Sequence, residues 1–271
     1  MADPLAALDA MGQLPDAELD LADAALQFAR ADLPDADWQA ARAHLSELAR
    51  EAASLSAADP VNRAVALARL LAGHYGYQGD SESYDDLANA NLIQVIERRR
   101  GLPVALGILW IHAARAAGWE AHGLDFPGHF LVGIAGEDEQ AVVDPFNGGG
   151  LLAPLTLQAL FKRIEGPDAE LRPSSLRPIG SRLVLLRLQN NIKLRRLRAG
   201  DLEGALECTA RMLRLAPEAA TLWREAALMH ERLGQVTAAL NAWNRFLVLV
   251  PEGELAAQAQ EAVAMLRAQL N

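Results

Sequence analysis

Two short segments hold the residue types best suited to chemistry. Phe126-Pro127-Gly128-His129-Phe130 offers an imidazole, and Val143-Asp144-Pro145-Phe146 offers a carboxylate. A carboxylate that fixes an imidazole is the orienting half of a nucleophilic triad. The two segments flank a turn-like Gly-Glu-Asp-Glu at 136–139. With the hairpin centred between Gly136 and Glu137, His129 and Asp144 face each other on one side of an antiparallel pair, within hydrogen-bond reach. A two-residue shift leaves them diagonal neighbours, still close. The third member, a nucleophile, belongs at a helix N-terminus, where the helix dipole lowers a thiol pKa. The apolar helix that begins after Gly101 is the candidate.

The other groups are less suggestive. Cys208 is the single cysteine, which excludes an intramolecular disulfide and a thiolate metal cluster. It lies within a helical repeat and reads as packing. His74, His112, His122 and His230 have no metal-ligand spacing, so neither a metal nor a cofactor is expected. The Gly148-Gly149-Gly150 run lacks the Lys-Ser/Thr of a phosphate loop. Asn89 reads as a helix N-cap. Tyr75, Tyr77 and Tyr84 either line a cleft or pack.

The elements around these residues are mostly helical. Residues 16–30 carry apolar positions at helical spacing, Asp35 can cap a helix through Trp38 and Leu48, and Pro60 suits the first turn of a third. A glycine- and tyrosine-rich loop follows at 73–84. Helices are expected from Asn89 to Arg100 and from Val104 to Ala117. Short strands are expected at 121–125, 130–134 and 141–144, then a helix at 155–163. Residues 165–180, with Pro167, Pro173 and Pro178, read as a linker.

The C-terminal part repeats. Pro217 and Pro251 are 34 residues apart, as are Gly200 and Gly234, Ala205 and Ala239, and Leu206 and Leu240. That period with paired helices marks a tetratricopeptide array. In the first repeat Gln189 replaces the tryptophan and Lys193 a small residue. Residues 255–270 form a capping helix. Two repeats bury little by themselves, so the helix at 182–198 is expected to pack on the first domain through Leu185, Leu188 and Ile192. Its arginines should stay outside or meet carboxylates. The groove near Trp223 and His230 is then the expected protein-binding surface.

The resulting class is α+β and predominantly helical. The expected division is an N-terminal helical part at 1–72, a core at 73–165, a linker at 166–181 and repeats at 182–271. Residues 1–60 hold 12 acids against 3 bases, which is nearly all of the net charge of −10. Such a surface repels phosphate backbones, so no nucleic-acid partner is expected. The start lacks a basic-then-apolar signal, and the longest apolar run, 102–111, is half a membrane span. A cytoplasmic protein with no membrane partner is expected.

Gly76-Tyr77-Gln78-Gly79, Tyr84-Asp85, Asn89 and Arg99-Arg100-Gly101-Leu102-Pro103-Val104-Ala105-Leu106, with the His129 and Asp144 segments, resemble the bacterial SirB-one proteins. These are transglutaminase-like domains with C-terminal tetratricopeptide repeats. The resemblance implies a transglutaminase/papain-like fold with a small antiparallel sheet, and a regulatory association. It places the family's cysteine at Pro103 or Val104, neither of which can attack a carbonyl. His129 and Asp144 are then a remnant dyad, with Asn89, Tyr84, Pro103 and Val104 around the cleft. The expected function is non-catalytic binding of a protein or peptide. The alternatives are an amide-acting hydrolase that uses the His-Asp pair without cysteine, and a small-ligand sensor.

Overall fold

The computed structural model describes residues 3–137 and 139–270. The chain divides into two compact units, Pro15–Leu188 and a second formed by residues up to Leu14 with those from Gln189 onward.

In the first unit, aspartates set the helix starts. Asp20 caps α2 (Leu21–Asp32), Asp37 caps α3 (Trp38–Ala52), and Asp59 caps α4 (Pro60–Ala68), where Pro60 takes the first helical position. The cap at 37 replaces the one expected at Asp35. A turn from Leu33 O to Ala36 N–H holds Pro34-Asp35 outside the helix. After α4 the chain continues as a π-turn, Arg69–His74, and ends on Gly76 at φ 74°. A two-residue parallel pair follows, β1 (Gln78–Gly79) with β2 (Arg100–Gly101). Between them lies α5 (Leu92–Arg98).

At the centre is α6 (Pro103–Ala116), apolar on every side and buried from Pro103 through Ile111. A helix without a polar face must be enclosed, and α6 is packed against α2, α3, the sheet strands and the turn at Pro145–Asn147. The sheet is antiparallel, in the order β6 (Gly150–Leu151), β5 (Gln140–Asp144), β4 (Val132–Ala135), β3 (Ala121–Leu124), β7 (Pro178–Ile179). β7 corrects the reading of 166–181 as a plain linker. Its residues pair with Gly123 and Leu124, and its proline is tolerated because the strand lies at an edge. A smaller core joins the sheet to α7 (Pro154–Glu165): Leu124, Phe126, Leu131 and Val142 meet Leu157 and Phe161.

The helix α8 (Ser181–Arg198) contributes residues to both units. Leu185 and Leu188 are buried in the first, and Ile192 in the second. The second unit continues with α9 (Leu202–Leu215), α10 (Ala220–Arg232), α11 (Val236–Leu249) and α12 (Glu254–Gln269), each packed on the next. These are the expected paired helices and their cap. A segment placed with residues 1–72 from sequence joins this unit instead: α1 (Pro4–Gly12) lies on α9. Leu8 is fully buried, Asp9 pairs with Arg214 at 2.6 Å, and a Cβ at Gly12 would stand 2.2 Å from the Arg214 carbonyl oxygen.

Candidate functional site

β4 and β5 bring the two chemical segments together. Val132 faces Val143 and Ala135 faces Gln140, which centres the hairpin one residue later than the sequence reading. The cause is a four-residue connection closed by Gly136 N–H donating to Glu139 O at 2.7 Å; Asp138 of that turn lies outside the described residues. The pairing slides by two positions, so each side chain keeps its face. His129 lies in the loop before β4, and Asp144 at the end of β5. Their Nε2 and Oδ2 atoms are 3.0 Å apart. Nε2 is buried and makes no well-aligned hydrogen bond, so the contact is one of position.

Asp144 is the better anchored of the two. Oδ1 accepts from Phe146 N–H at 3.0 Å and Oδ2 from Asn147 Nδ2 at 2.6 Å. Burial opposes its ionisation, but His129, Asn147 and the Phe146 amide outweigh burial and hold the carboxyl below its usual value. The Phe146 ring meets His129 edge-on at 6.4 Å, and Tyr84 meets Phe146 at 5.8 Å. Tyr84 therefore reaches the dyad through one intervening ring. Beside these residues is a cavity of about 540 Å³ lined by Gln78, Gly79, Ser81, Phe146, Asn147 and their neighbours.

Pro103, Val104 and Ala105, the start of α6, are buried and carry no nucleophile. A Cβ at Gly107 would stand 2.3 Å from the Phe130 ring, so α6 runs directly against the residue after His129. Cys208 is fully buried in the second unit, with Sγ 3.3 Å from the Gln189 carbonyl oxygen.

Asn89 corrects the sequence reading. It is fully buried and caps nothing: it donates to Ser83 O at 2.6 Å and accepts from Arg98 at 3.2 Å. Asn91 is the cap of α5. Asn89 belongs to a clamp on the loop before α5, in which Asp80 pairs with Arg98 at 2.9 Å. The backbone N–H and hydroxyl of Ser83 lead in lowering the Asp80 pKa to about 2.

Two arrangements had no local sequence signal. Arg187 of α8 donates to the carbonyls of His129 (3.0 Å), Phe126 (3.3 Å) and Leu124 (3.4 Å), fastening the loop that carries His129. It was expected at solvent or on a carboxylate. The buried loop carbonyls have stronger need of donors. Arg99, the one described non-glycine residue with positive φ (58°), lies 2.8 Å from His44 Nε2 and donates to the Tyr77 hydroxyl. Burial first, and Arg99 second, lower the His44 pKa to about 4.

In the second unit, Trp223 and His230 line a cavity of about 600 Å³ with Asp9, Leu206, Arg214 and Asn241 among its walls. Trp223 is fixed by Nε1 donating to Pro217 O at 2.8 Å, and His230 by Gln235 at 2.6 Å. Lys193 is buried against Glu225.

A dyad beside a central helix, followed by paired helices, defines a transglutaminase-like protein with tetratricopeptide repeats. Residues 39–190 match the transglutaminase-like superfamily model and 192–271 a tetratricopeptide repeat model. A UPF0162 protein of Xylella fastidiosa (strain Temecula1) is 35% identical over 70% of this chain and 68% of its own. One from Vibrio cholerae is 29% identical over 79% and 76%, and one from Pseudomonas aeruginosa is 31% identical over 65% and 64%. The chain belongs to this transglutaminase-like, SirB-type UPF0162 family. A crystal structure of menin, titled as revealing its binding site for Mixed Lineage Leukemia protein, has a TM-score of 0.45 at 10% identity, over 90% of this chain and 70% of that one. That likeness is too slight to bear on function. Among the described residues no helix is long and apolar enough to cross a membrane.

Proposed function

We propose that this is a non-catalytic, cytoplasmic interaction protein that binds a protein or peptide through its repeat unit. The observation that carries the reading is the start of α6. The family resemblance puts its cysteine at Pro103 or Val104, and both, like the neighbouring Ala105, are inert and buried. The His129–Asp144 pair then serves as a polar contact between the loop before β4 and the end of β5. The groove at Trp223 and His230 offers a half-buried indole among small side chains, a combination suited to a partner's apolar side chain.

A hydrolase that uses His129 as a general base is the second reading. It is favoured by the ionised Asp144 beside an imidazole. Two measurements separate the readings. Amide hydrolysis and transamidation are assayed with wild type and His129→Ala, with alkylation of Cys208 as a further arm. Partner capture from the native host is compared for wild type and Trp223→Ala/His230→Ala. Capture lost in the groove variant, with no turnover in any chain, supports the first reading. Turnover that disappears in His129→Ala overturns it.

A further inference from the structure

Among the described residues, the strand β1 is paired along one edge only. Gln78 N–H donates to Arg99 O at 3.1 Å and Asp80 N–H to Gly101 O at 3.3 Å, in a register that sets Gly79 opposite Gly101. In a parallel ladder, alternate residues bond to the same neighbour. Gly79, the residue between, therefore turns both its N–H and its C=O away from β2. The Phe146 ring covers one face of Gly79, since a Cβ there would lie 2.5 Å from it, and leaves the strand edge to the backbone groups. Gly79 also lines the 540 Å³ cavity next to the dyad.

The cavity wall is polar but uncharged. Gln78, Ser81 and Asn147 contribute two carboxamides and a hydroxyl, groups that both donate and accept. Asn147 gives an N–H to Asp144 and keeps its carbonyl oxygen as an acceptor. Tyr77 also lines the cavity, but its hydroxyl is taken up by Arg99 and His44. A phosphate or carboxylate entering here would meet no lining cation, and an ammonium no lining anion. A peptide main chain carries one neutral donor and one neutral acceptor per residue, the complement of Gly79. The Phe146 and Tyr84 rings beside the cavity offer an apolar surface for a peptide side chain.

We propose that this cavity takes an extended peptide whose main chain adds to the free edge of β1 at Gly79. This is β-augmentation at the remnant cleft. The site is separate from the groove at Trp223, and its occupation requires no turnover.

Recognition through the main chain is indifferent to sequence, so a plain probe suffices. The ¹⁵N-labelled full chain is titrated with the capped pentapeptide acetyl-Ala-Val-Ala-Val-Ala-amide, then with the same peptide N-methylated at each residue in turn. The Gly79 amide resonance should move saturably. Methylation at the bridging residue should weaken binding at least tenfold, about 1.4 kcal/mol, with smaller effects elsewhere. Ser81→Ala, an exposed change that spares the fold, should weaken binding severalfold, and Trp223→Ala should leave it unchanged. The absence of a saturable shift at Gly79 overturns the proposal. So does equal binding of every N-methylated peptide, or perturbation confined to the residues around Trp223. None of these outcomes decides whether the groove captures its own partner.

Discussion

The two units hold their shapes by different means. In the transglutaminase-like unit, loops are fixed by buried and half-buried polar side chains that reach across the sequence: Arg187 holds the His129 loop, Asn89 and Asp80 the loop before α5, and Arg99 the segment at Tyr77. In the repeat unit, each helix packs on its sequence neighbour and polar links are mostly short-range or exposed, such as Arg196 with Asp201 and Arg211 with Glu207. The first arrangement preserves the geometry of a site. The second preserves a repeating surface. A substitution in the first should therefore break several links, and one in the second should act locally.

The largest test is a pair of truncations in α8. Ending the chain at Gly180 removes Val184, Leu185 and Leu188, all buried, together with the Arg187 clamp. Burying one such side chain contributes about 1.5–3 kcal/mol, so the loss should approach the whole stability of a typical domain. Ending the chain at Leu188 keeps all four residues and should cost the first unit less than half as much. Urea midpoints of the two truncations, read from the fluorescence of Trp38, Trp110 and Trp119, check this. Equal midpoints would mean that the first half of α8 does not hold the first unit together.

Glycine substitutions sharpen the contrast on a smaller scale. Gly149 has φ 77°, and a Cβ there would stand 1.9 Å from the Trp110 ring. Gly234 has φ 68°, with nothing within 4 Å of a Cβ. Gly234→Ala should cost about 1–2 kcal/mol for the left-handed backbone alone. Gly149→Ala adds displacement of a buried indole and should cost at least twice that. Thermal melts that rank the two the other way would contradict the picture of a tightly interlocked first unit.

The sequence was legible where spacing carries the physics, and less so where distant residues meet. The 34-residue period placed α8 to α11, because repeat helices bury the same positions each time. The His129 and Asp144 segments could be paired because strand parity survives a two-residue slip. Asn89 was misread because a buried asparagine and an N-cap look alike in one dimension, with Asn91 two residues away. Arg187 could not be assigned to His129, since 58 residues separate donor from acceptor and no local pattern links them. β7 was hidden by its proline, which argues against a strand everywhere except at an edge.

A pH experiment isolates one of the buried polar groups. The His44 pKa falls from 6.5 to about 4 on folding. The unfolded chain then binds more protons across that interval, so stability rises with pH there. The contribution of the neutral ring is present above about pH 6.5 and is lost as pH falls toward 4. His44→Gln should flatten the stability curve between those limits. An unchanged slope in the variant would show that other groups govern it.

The smallest effect should come from the ion pair that ties α1 to the repeats. Asp9 and Arg214 are 2.6 Å apart, but their side chains are 54% and 39% exposed. An exposed pair gains little Coulomb energy in water and loses side-chain freedom, which leaves about 0.2–1 kcal/mol. The fully buried Leu8 and the close approach of Gly12 to the Arg214 carbonyl should hold α1 far more firmly. A double-mutant cycle with Asp9→Asn and Arg214→Gln should therefore return a coupling at the low end of that range, falling further at high salt. Leu8→Ala should cost several times more, about 2–5 kcal/mol. If the charge cycle gave the larger number and resisted salt, α1 would be fixed by its electrostatics. The repeat unit would then share the reliance on polar clamps that otherwise sets the first unit apart.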